Sequence, residues 1–218
     1  MSSLVILGAR EHAKMVFATL QDALSKEWEV LGFLDDNSSL HGKDLLGLPI
    51  LGPIQDMAGL AASGRIQGAL VGISCNHMAV RARLFSEIKR LRLQTPSVIS
   101  PTAHVHRLAA VGEGSVIFGG AVVNAFARVG SNFVAYSNAV VEHECVLGDN
   151  VYLGPGVAFC GSVRVGNSTF IGTGSSVVCE KIGDDVVVGA GAAVVRDLPD
   201  GAVAVGVPSR ILQIRTPE

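Results

Sequence analysis

The sequence predicts two folds in one chain, an α/β domain over residues 1–97 and a parallel β-helix over residues 98–218. Three observations lead to this prediction. Short apolar runs alternate with helically spaced apolar residues before residue 98. Apolar residues recur every six positions after it. The chain also holds 26 glycines and only 5% aromatic residues, which is typical of a repetitive and closely packed backbone.

The first part of the chain alternates between predicted strands and helices. Apolar runs predict strands at 4–7, 29–34, 50–53 and 69–73, and a proline stops the third, which we expect at the sheet edge. Apolar spacing predicts helices over 12–25 and 76–93. Asn76 is the expected cap of the second helix, and Arg81 is expected on its outward face. The alternation favours a small parallel sheet with helices on both faces.

The six-residue repeat begins at Ile99 and runs without interruption to Val177. It resumes one residue early at Ile182 and continues to Val194, so we expect a tightened corner near Lys181. Six residues form one short strand and one corner, and three such units close a triangular coil. Glycine often follows the apolar position and Ala or Ser often precedes it by two residues, because only small residues fit the inner corners.

Charge and composition exclude several function classes. The net charge of −2 gives no reason to expect nucleic acid or an acidic membrane as a partner. No apolar run reaches the roughly 18 residues of a membrane helix, and no signal peptide is evident, so a cytoplasmic protein is expected. The four cysteines lack metal-ligand spacing and are interpreted as buried small hydrophobes: Cys75, Cys145, Cys160 and Cys179.

A polar segment interrupts the repeat at residues 137–145. His143 lies two residues after the apolar Val141, between Glu142 and Glu144. A histidine beside a carboxylate is the arrangement of a general base, because the carboxylate fixes the tautomer of the imidazole. On these residues alone, a solvated polar corner is the favoured interpretation.

Five segments together carry a resemblance to a known family: LVILGAREHAKMV (4–16), GFLDDN (32–37), LPILGP (48–53), VVEHECVLGD (140–149) and VGAGAAVVRDLPDGAVAVGVPSRIL (188–212). In this order they resemble the sugar O-acyltransferase or sialic-acid O-acetyltransferase-like family of hexapeptide-repeat proteins. Within it they look most like the bacterial N-acetyltransferases of nucleotide-linked 4-amino sugars. The resemblance implies a Rossmann-like domain for the nucleotide sugar, a left-handed β-helix for acetyl-CoA, and a homotrimer.

The resemblance also implies roles for residues. His143 matches the catalytic base and Glu144 the acidic residue that tunes it, with Glu142 as the alternative. The sugar amine would attack the thioester carbon directly while His143 removes its proton, which needs no metal and no acyl-enzyme. Residues matching the nucleotide-sugar contacts are Arg10, Glu11, His12, Asp35, Asp36 and Gly72. Residues matching the acetyl-CoA site are Tyr152, Thr173 and Gly191.

The chain departs from the family pattern in two places. The family's first turn reads Gly-Ala-Gly-Gly-His, whereas Arg10 and Glu11 replace two glycines here. Arg10 could reach a diphosphate, and Glu11 would repel one if it pointed the same way. Nine residues after His143, many relatives carry a second histidine where this chain has Tyr152. A phenol can donate a hydrogen bond to a thioester carbonyl but is a poor base.

Three other interpretations remain open at this point. A carbonic anhydrase of this fold is disfavoured, since His104 and His106 lie too far along the prism from His143 to share a zinc ion. A binding or assembly module without chemistry would explain the altered turn and Tyr152. An O-acetyltransferase would use the same base. The sequence leaves the nucleotide (UDP, GDP or dTDP) and the sugar undetermined.

Overall fold

A computed structural model, which describes residues 1–215, has an N-terminal α/β unit followed by a left-handed parallel β-helix. The chain divides into two compact units, Met1–Val98 and the part from Ile99 onwards. The division falls inside the first short strand of the repeat, one residue after the predicted boundary. Each unit has its own apolar core. No helix in the described part of the chain is long and apolar enough to cross a membrane.

The N-terminal unit is built on a five-stranded sheet. Its elements are β1 (Ser2–Leu7), α1 (Glu11–Leu24), β2 (Trp28–Leu34), β3 (Asp44–Leu45), β4 (Leu48–Gly52), α2 (Met57–Ala62), β5 (Gly68–Val71) and α3 (Met78–Arg90). The strand order is β3-β4-β2-β1-β5, with all neighbours parallel except β3 and β4. The interior strand β1, between β2 and β5, has Leu4, Val5, Ile6 and Leu7 fully buried, which explains its continuous apolar run in the sequence.

Besides the direction of Arg81, three details of this unit differ from the prediction. The strand β4 is not the edge of the sheet, because the two-residue β3 pairs outside it. The helix α2 was not predicted; it spans only six residues. Asn76 does not cap α3; it lies in the 3₁₀ turn Cys75–His77, and His77 holds the cap position without a side-chain bond.

Arg81 is the clearest departure, because the expectation that it faces outward is wrong. Its side chain is only 1% exposed. The guanidinium Nη1 donates a 2.6 Å hydrogen bond to the carbonyl oxygen of Ile73, just after β5. A buried arginine needs such partners, since leaving a charged donor unsatisfied in the interior is costly.

The β-helix consists of two-residue strands separated by corners. The strands are β6 (Val98–Ile99), β7 (His104–Val105), β8 (Ala110–Val111), β9 (Val116–Ile117), β10 (Val122–Val123), β11 (Arg128–Val129), β12 (Val134–Ala135), β13 (Val140–Val141), β14 (Val146–Leu147), β15 (Tyr152–Leu153), β16 (Ala158–Phe159), β17 (Arg164–Val165), β18 (Phe170–Ile171), β19 (Ser176–Val177), β20 (Lys181–Ile182), β21 (Val187–Val188) and β22 (Ala193–Val194). The repeating apolar residue is the second residue of each strand. A final hairpin, β23 (Ala202–Val205) and β24 (Arg210–Ile214), ends the described chain.

Every third strand belongs to the same face of the prism. The first face runs from β6 through β9, β12, β15, β18 and β21 to the final hairpin. The second face holds β7, β10, β13, β16, β19 and β22, and the third holds β8, β11, β14, β17 and β20. The repeating apolar side chains point inward and form one continuous core. The predicted slip is confirmed: Val165 pairs with Ile182, and the missing residue is taken from the corner at 178–180.

Side chains at the corner between the third and first faces form a hydrogen-bonded column, which we call the corner ladder. Each member accepts a bond at Oδ1 from a backbone N–H of the preceding coil: Asp149 from Ser131 (2.7 Å), Asn167 from Asp149 (2.8 Å), Asp184 from Asn167 (2.5 Å) and Asp200 from Asp184 (2.9 Å). A glycine faces each of these oxygens. A Cβ on Gly130 would lie 2.5 Å from Oδ1 of Asp149 and 2.6 Å from the carbonyl carbon of Gly148. The glycines that follow the apolar residues at this corner therefore leave room for the ladder.

We expect Gly130→Ala to destabilise the protein by about 1–3 kcal/mol, because the added methyl group meets backbone that cannot move aside. Thermal unfolding followed by circular dichroism measures the loss. The matched control is Gly59→Ala in α2, where a Cβ has no atom within 4 Å. Equal unfolding midpoints for the two variants would contradict the packing described for this corner.

Candidate active site

His143 lies at the corner between the second and third faces, after β13. Its side chain is 58% exposed. The next residue, Glu144, has a φ of 60°, in the left-handed region, and its backbone N–H donates to the carbonyl oxygen of Ala125 in the preceding coil (3.2 Å). This turn carries the chain from β13 to β14 and brings the side chain of Glu144 beside that of His143.

The two carboxylates that flank His143 have different partners. Oε2 of Glu144 lies 3.4 Å from Nδ1 of the imidazole. Oε2 of Glu142 instead accepts a hydrogen bond from the backbone N–H of His143 at 3.3 Å. Only Glu144 therefore faces the ring, and a proton on Nδ1 would leave Nε2 as the basic nitrogen.

Ser162, one coil further on, supports both residues. Its backbone N–H donates to the carbonyl oxygen of His143 at 2.9 Å. Its Oγ donates a long hydrogen bond, 3.4 Å, to the same Oε2 of Glu144 that approaches the imidazole. The histidine, the carboxylate and the serine thus form a connected polar group on an exposed corner.

Cys145 follows this group but is not available for chemistry. It is fully buried, and its Sγ donates to the carbonyl oxygen of Cys160 at 3.1 Å. Burial raises the pKa of the Cys145 thiol, which disfavours the thiolate a nucleophile needs. The prediction of buried cysteines is confirmed for Cys145 and Cys179, whereas it is wrong for Cys160, which is exposed, and Cys75 is half-buried.

The three residues matched to acetyl-CoA lie in two places. Thr173 and Gly191 share the corner between the first and second faces, where the Gly191 N–H donates to the Thr173 carbonyl oxygen (2.8 Å). Tyr152 begins β15 on the first face and is only 4% exposed. Its ring lies 5.6 Å from that of Tyr136 and 5.9 Å from that of Phe170, between centroids. Within one chain, Thr173 and Gly191 come together, while His143 occupies a different corner.

The acidic pair after β2 fastens the loops at the carboxyl edge of the N-terminal sheet. Oδ2 of Asp35 accepts from the N–H of Ala9 (2.8 Å), and its Oδ1 accepts from the N–H of Asn37 (2.9 Å). Oδ1 of Asp36 accepts from the N–H of Ile54 (2.9 Å). These carboxylates therefore join the turn after β1 to the turns after β2 and β4.

The two long residues that replace glycines lie at the start of α1. Arg10 is exposed and occupies the N-cap position without a side-chain capping bond. Glu11 is directed along the helix, because its Oε1 lies 2.9 Å from Nζ of Lys14. The expected repulsion of an anion is thus reduced by a local ion pair. The positive end of the helix dipole and the Arg10 guanidinium belong to the same edge of the sheet.

His12 and Gly72 belong to the interior of this unit. Burial, and secondarily the positive charge of Arg81, lowers the pKa of His12 to about 3, so the imidazole is neutral near pH 7. A Cβ on Gly72 would lie 2.7 Å from Cγ2 of Ile6 and 2.8 Å from Cβ of Ala13. Glycine therefore allows α1 to approach the sheet closely at this position.

Two residues at this edge were not among the predicted site residues. Nε2 of His41 donates to the carbonyl oxygen of Asp35 at 2.7 Å, and Arg81 lies buried beside the end of β5. His41 follows a short turn-rich segment without periodicity, so no pattern marked it. Arg81 shares its helix with several outward basic residues, which hid its inward direction.

His104 and His106 lie in the first coil, where their rings meet edge to face with centroids 6.3 Å apart. The strand of His104, β7, pairs with β10, which pairs with β13, so one full coil lies between the coil of His104 and that of His143. Within residues 1–215, no three His, Cys, Asp or Glu side chains are grouped so that they could hold a metal ion.

Comparison with known proteins adds evidence on family. Residues 3–88 match the family model described as the PglD N-terminal domain. No curated protein sequence matches the chain. Solved structures, in contrast, match along nearly its whole length.

Three solved structures illustrate this similarity. Perosamine N-acetyltransferase from Caulobacter crescentus, as a His→Asn mutant in complex with CoA and GDP-perosamine, is 32% identical, covers 98% of each chain and has a TM-score of 0.89. The acetyltransferase domain of PglB from Neisseria gonorrhoeae, in complex with acetyl coenzyme A, is 31% identical, with coverage of 97% of this chain and 99% of that chain and a TM-score of 0.86. WeeI from Acinetobacter baumannii is 27% identical, with coverage of 97% and 100% and a TM-score of 0.81.

The buried His12 makes stability depend on pH. The unfolded chain takes up a proton at His12 as the pH falls below 6.5, whereas the folded chain does so only near pH 3. Acidification across this window therefore favours unfolding, by up to about 1.4 kcal/mol per pH unit from this one residue. We expect His12→Gln to flatten the pH dependence of the unfolding free energy relative to His104→Gln, an exposed control. Parallel curves for the two variants would show that His12 is protonated in the fold.

Proposed function

Since the chain belongs to the sugar N-acetyltransferases of the hexapeptide-repeat type, we propose that it transfers the acetyl group of acetyl-CoA to a nucleotide-linked 4-amino-deoxy sugar. The acceptor atom is the sugar amine. The observation that carries the proposal is the exposed His143 with Nδ1 3.4 Å from a carboxylate oxygen, in a chain similar along 98% of its length to an enzyme solved with CoA and GDP-perosamine.

The proposed base is Nε2 of His143. A neutral amine attacks the thioester carbon through its nitrogen lone pair. Because the nitrogen becomes positively charged as the C–N bond forms, a base must remove one of its protons. The tetrahedral intermediate then collapses, the C–S bond breaks, and the proton held on the imidazole passes to the CoA sulfur. The products are an amide and the free thiol of CoA. Backbone N–H groups are the proposed donors to the oxyanion.

Glu144 is proposed to orient the base and to stabilise the imidazolium that forms. Its Oε2 faces Nδ1, so a proton on Nδ1 is favoured and Nε2 is directed away from the carboxylate. Glu142 is assigned no role in the reaction, since its Oε2 is bonded to backbone.

The nucleotide sugar is proposed to bind at the carboxyl edge of the N-terminal sheet, where ligands of open α/β sheets bind. The diphosphate would be held by the N-terminus of α1 and by the Arg10 guanidinium, both positive. Asp35 and Asp36 then act chiefly by shaping the loops that they fasten, and His12 and Gly72 by packing α1 against the sheet.

Acetyl-CoA is proposed to contact Thr173 and Gly191, with Tyr152, only 4% exposed and packed between the rings of Tyr136 and Phe170, supporting the neighbouring face rather than reaching the ligand. Within one prism these residues and His143 occupy different corners, so the proposal includes a second subunit, in line with the homotrimer that the family resemblance implies. A homotrimer packed along the prism sides would bring a His143 corner of one subunit against the Thr173 corner of the next. We therefore propose a trimer with its reaction groove between subunits.

We expect His143→Ala to lower kcat by about 10²–10⁴, the usual contribution of a general base. The measurement is thiol release from acetyl-CoA with a panel of UDP-, GDP- and dTDP-linked 4-amino sugars. The matched control is His104→Ala, an exposed histidine of the first coil, which should keep wild-type kcat.

Three results would contradict the proposed function in different ways. A wild-type kcat for His143→Ala would show that His143 is not the base. Transfer to matched sugars carrying a hydroxyl, but not to amino sugars, would make the protein an O-acetyltransferase. Binding of acetyl-CoA without turnover on any sugar of the panel would make it a binding module.

The N-terminal part of the proposal has its own test. We expect Arg10→Ala to raise the KM for the nucleotide sugar by about 10- to 150-fold, since a charge-assisted hydrogen bond contributes about 1.5–3 kcal/mol. The KM for acetyl-CoA should stay unchanged. The control is Arg83→Ala, an exposed arginine on α3. Equal KM values for the Arg10 and Arg83 variants would exclude Arg10 from the binding site.

A further inference from the structure

Gly161 lies against the imidazole of His143, one coil further along the prism. A Cβ on Gly161 would lie 2.5 Å from Nε2 and 3.0 Å from Nδ1 of that ring, and it would also overlap Cε1. Real Cβ atoms essentially never come within 3.0 Å of another heavy atom in this way. The ring of the proposed base therefore occupies space that only glycine leaves open.

The backbone does not require glycine at this position. Gly156 and Gly174, at other corners, have φ values of 67° and 68°, in the left-handed region, and a Cβ on either would meet no atom within 4 Å. Gly161 has no such positive φ, and the three nearest atoms to its Cβ position all belong to His143. Its neighbour Ser162 takes the left-handed conformation instead, with a φ of 65°. Contact with the imidazole is thus what distinguishes Gly161 from these corner glycines.

Ser162 completes the support of the same ring. It fixes the backbone of His143 by a 2.9 Å hydrogen bond and approaches the Glu144 carboxylate at 3.4 Å. That carboxylate in turn lies 3.4 Å from Nδ1. Ser162 therefore holds the backbone of His143 and the carboxylate beside Nδ1, while Gly161 lies against the imidazole ring itself.

We infer that Gly161 is a positioning residue for the reaction, because it provides the surface on which the His143 ring lies while Nδ1 faces Glu144. The inference rests on the proposed role of His143 as the base. A methyl group at residue 161 displaces the imidazole, which can rotate about its two side-chain bonds, and leaves the backbone in place. Such a displacement separates Nε2 from the acceptor amine without altering the groups that bind either substrate.

The test is the kinetics of Gly161→Ala with both substrates saturating. A displacement of about 1 Å in a reacting group can lower the rate about 10²-fold, so kcat should fall by that order. The KM values for acetyl-CoA and for the nucleotide sugar should remain within about twofold of wild type, because the residues that bind the two substrates are unchanged. Gly59→Ala is the matched control and should keep wild-type kcat, since its Cβ meets nothing within 4 Å.

A double variant shows whether the effect passes through His143. If it does, His143→Ala with Gly161→Ala should have the same kcat as His143→Ala alone, since there is no ring left to displace. A further loss in the double variant would mean that the methyl group acts elsewhere and would overturn the inference. A thermal midpoint of Gly161→Ala well below that of Gly59→Ala would also overturn it, because the methyl group would then meet backbone.

The remaining outcomes separate the inference from the proposed function. A wild-type kcat for Gly161→Ala, together with a strongly lowered kcat for His143→Ala, overturns the positioning role alone. Wild-type kcat for His143→Ala overturns the assignment of the base, and the positioning role with it. A fall in kcat for Gly161→Ala that disappears in the His143→Ala background supports both.

Discussion

Backbone hydrogen bonds between successive coils are the constraint on which the rest of the β-helix depends. Each strand pairs in parallel with the strand one coil away, so residues about 18 apart in sequence become neighbours. A side chain in one coil must therefore suit the residue in the same column of the next. The corner ladder shows this, since Asp149 bonds one coil backward and requires glycine at 130. The same dependence holds at the corner of His143, because the backbone N–H of Ser162 in the next coil donates to the carbonyl oxygen of His143.

The sequence predicted what depends on periodic burial and missed what depends on single contacts. The apolar repeat predicted every strand of the prism through β22, because each inward position must be apolar whatever its neighbours are. The choice between Glu142 and Glu144 could not be made from spacing, since it follows from the left-handed turn at Glu144. Arg81 was misjudged because helical spacing counts a charge as outward unless a buried carbonyl is known to meet it. Gly161 drew no attention because its partner lies 18 residues away.

The N-terminal unit tolerates a change that looks unfavourable in sequence. Arg10 and Glu11 stand where the family resemblance implies glycines, yet the turn after β1 is held by the Asp35 carboxylate through the N–H of Ala9. Glu11 is engaged by Lys14, one turn further along α1. The helix N-terminus therefore keeps its positive character, with Arg10 adding to it. Arg10 and Glu11 therefore change the side chains around the proposed diphosphate position, while the Asp35 carboxylate holds the turn beside them.

The shortened corner at 178–180 shows where this fold can change length. One residue is missing there, yet Arg164 still pairs with Lys181 and the inward residues stay in their columns. Insertions and deletions confined to a corner thus preserve the prism, whereas one inside a strand would turn every following side chain inside out. The corner of His143 is bonded to the coils on both sides, as are the corners of the ladder, where Asp149 bonds to Ser131 and to Asn167. A change of length at such a corner would therefore break hydrogen bonds to two neighbouring coils at once.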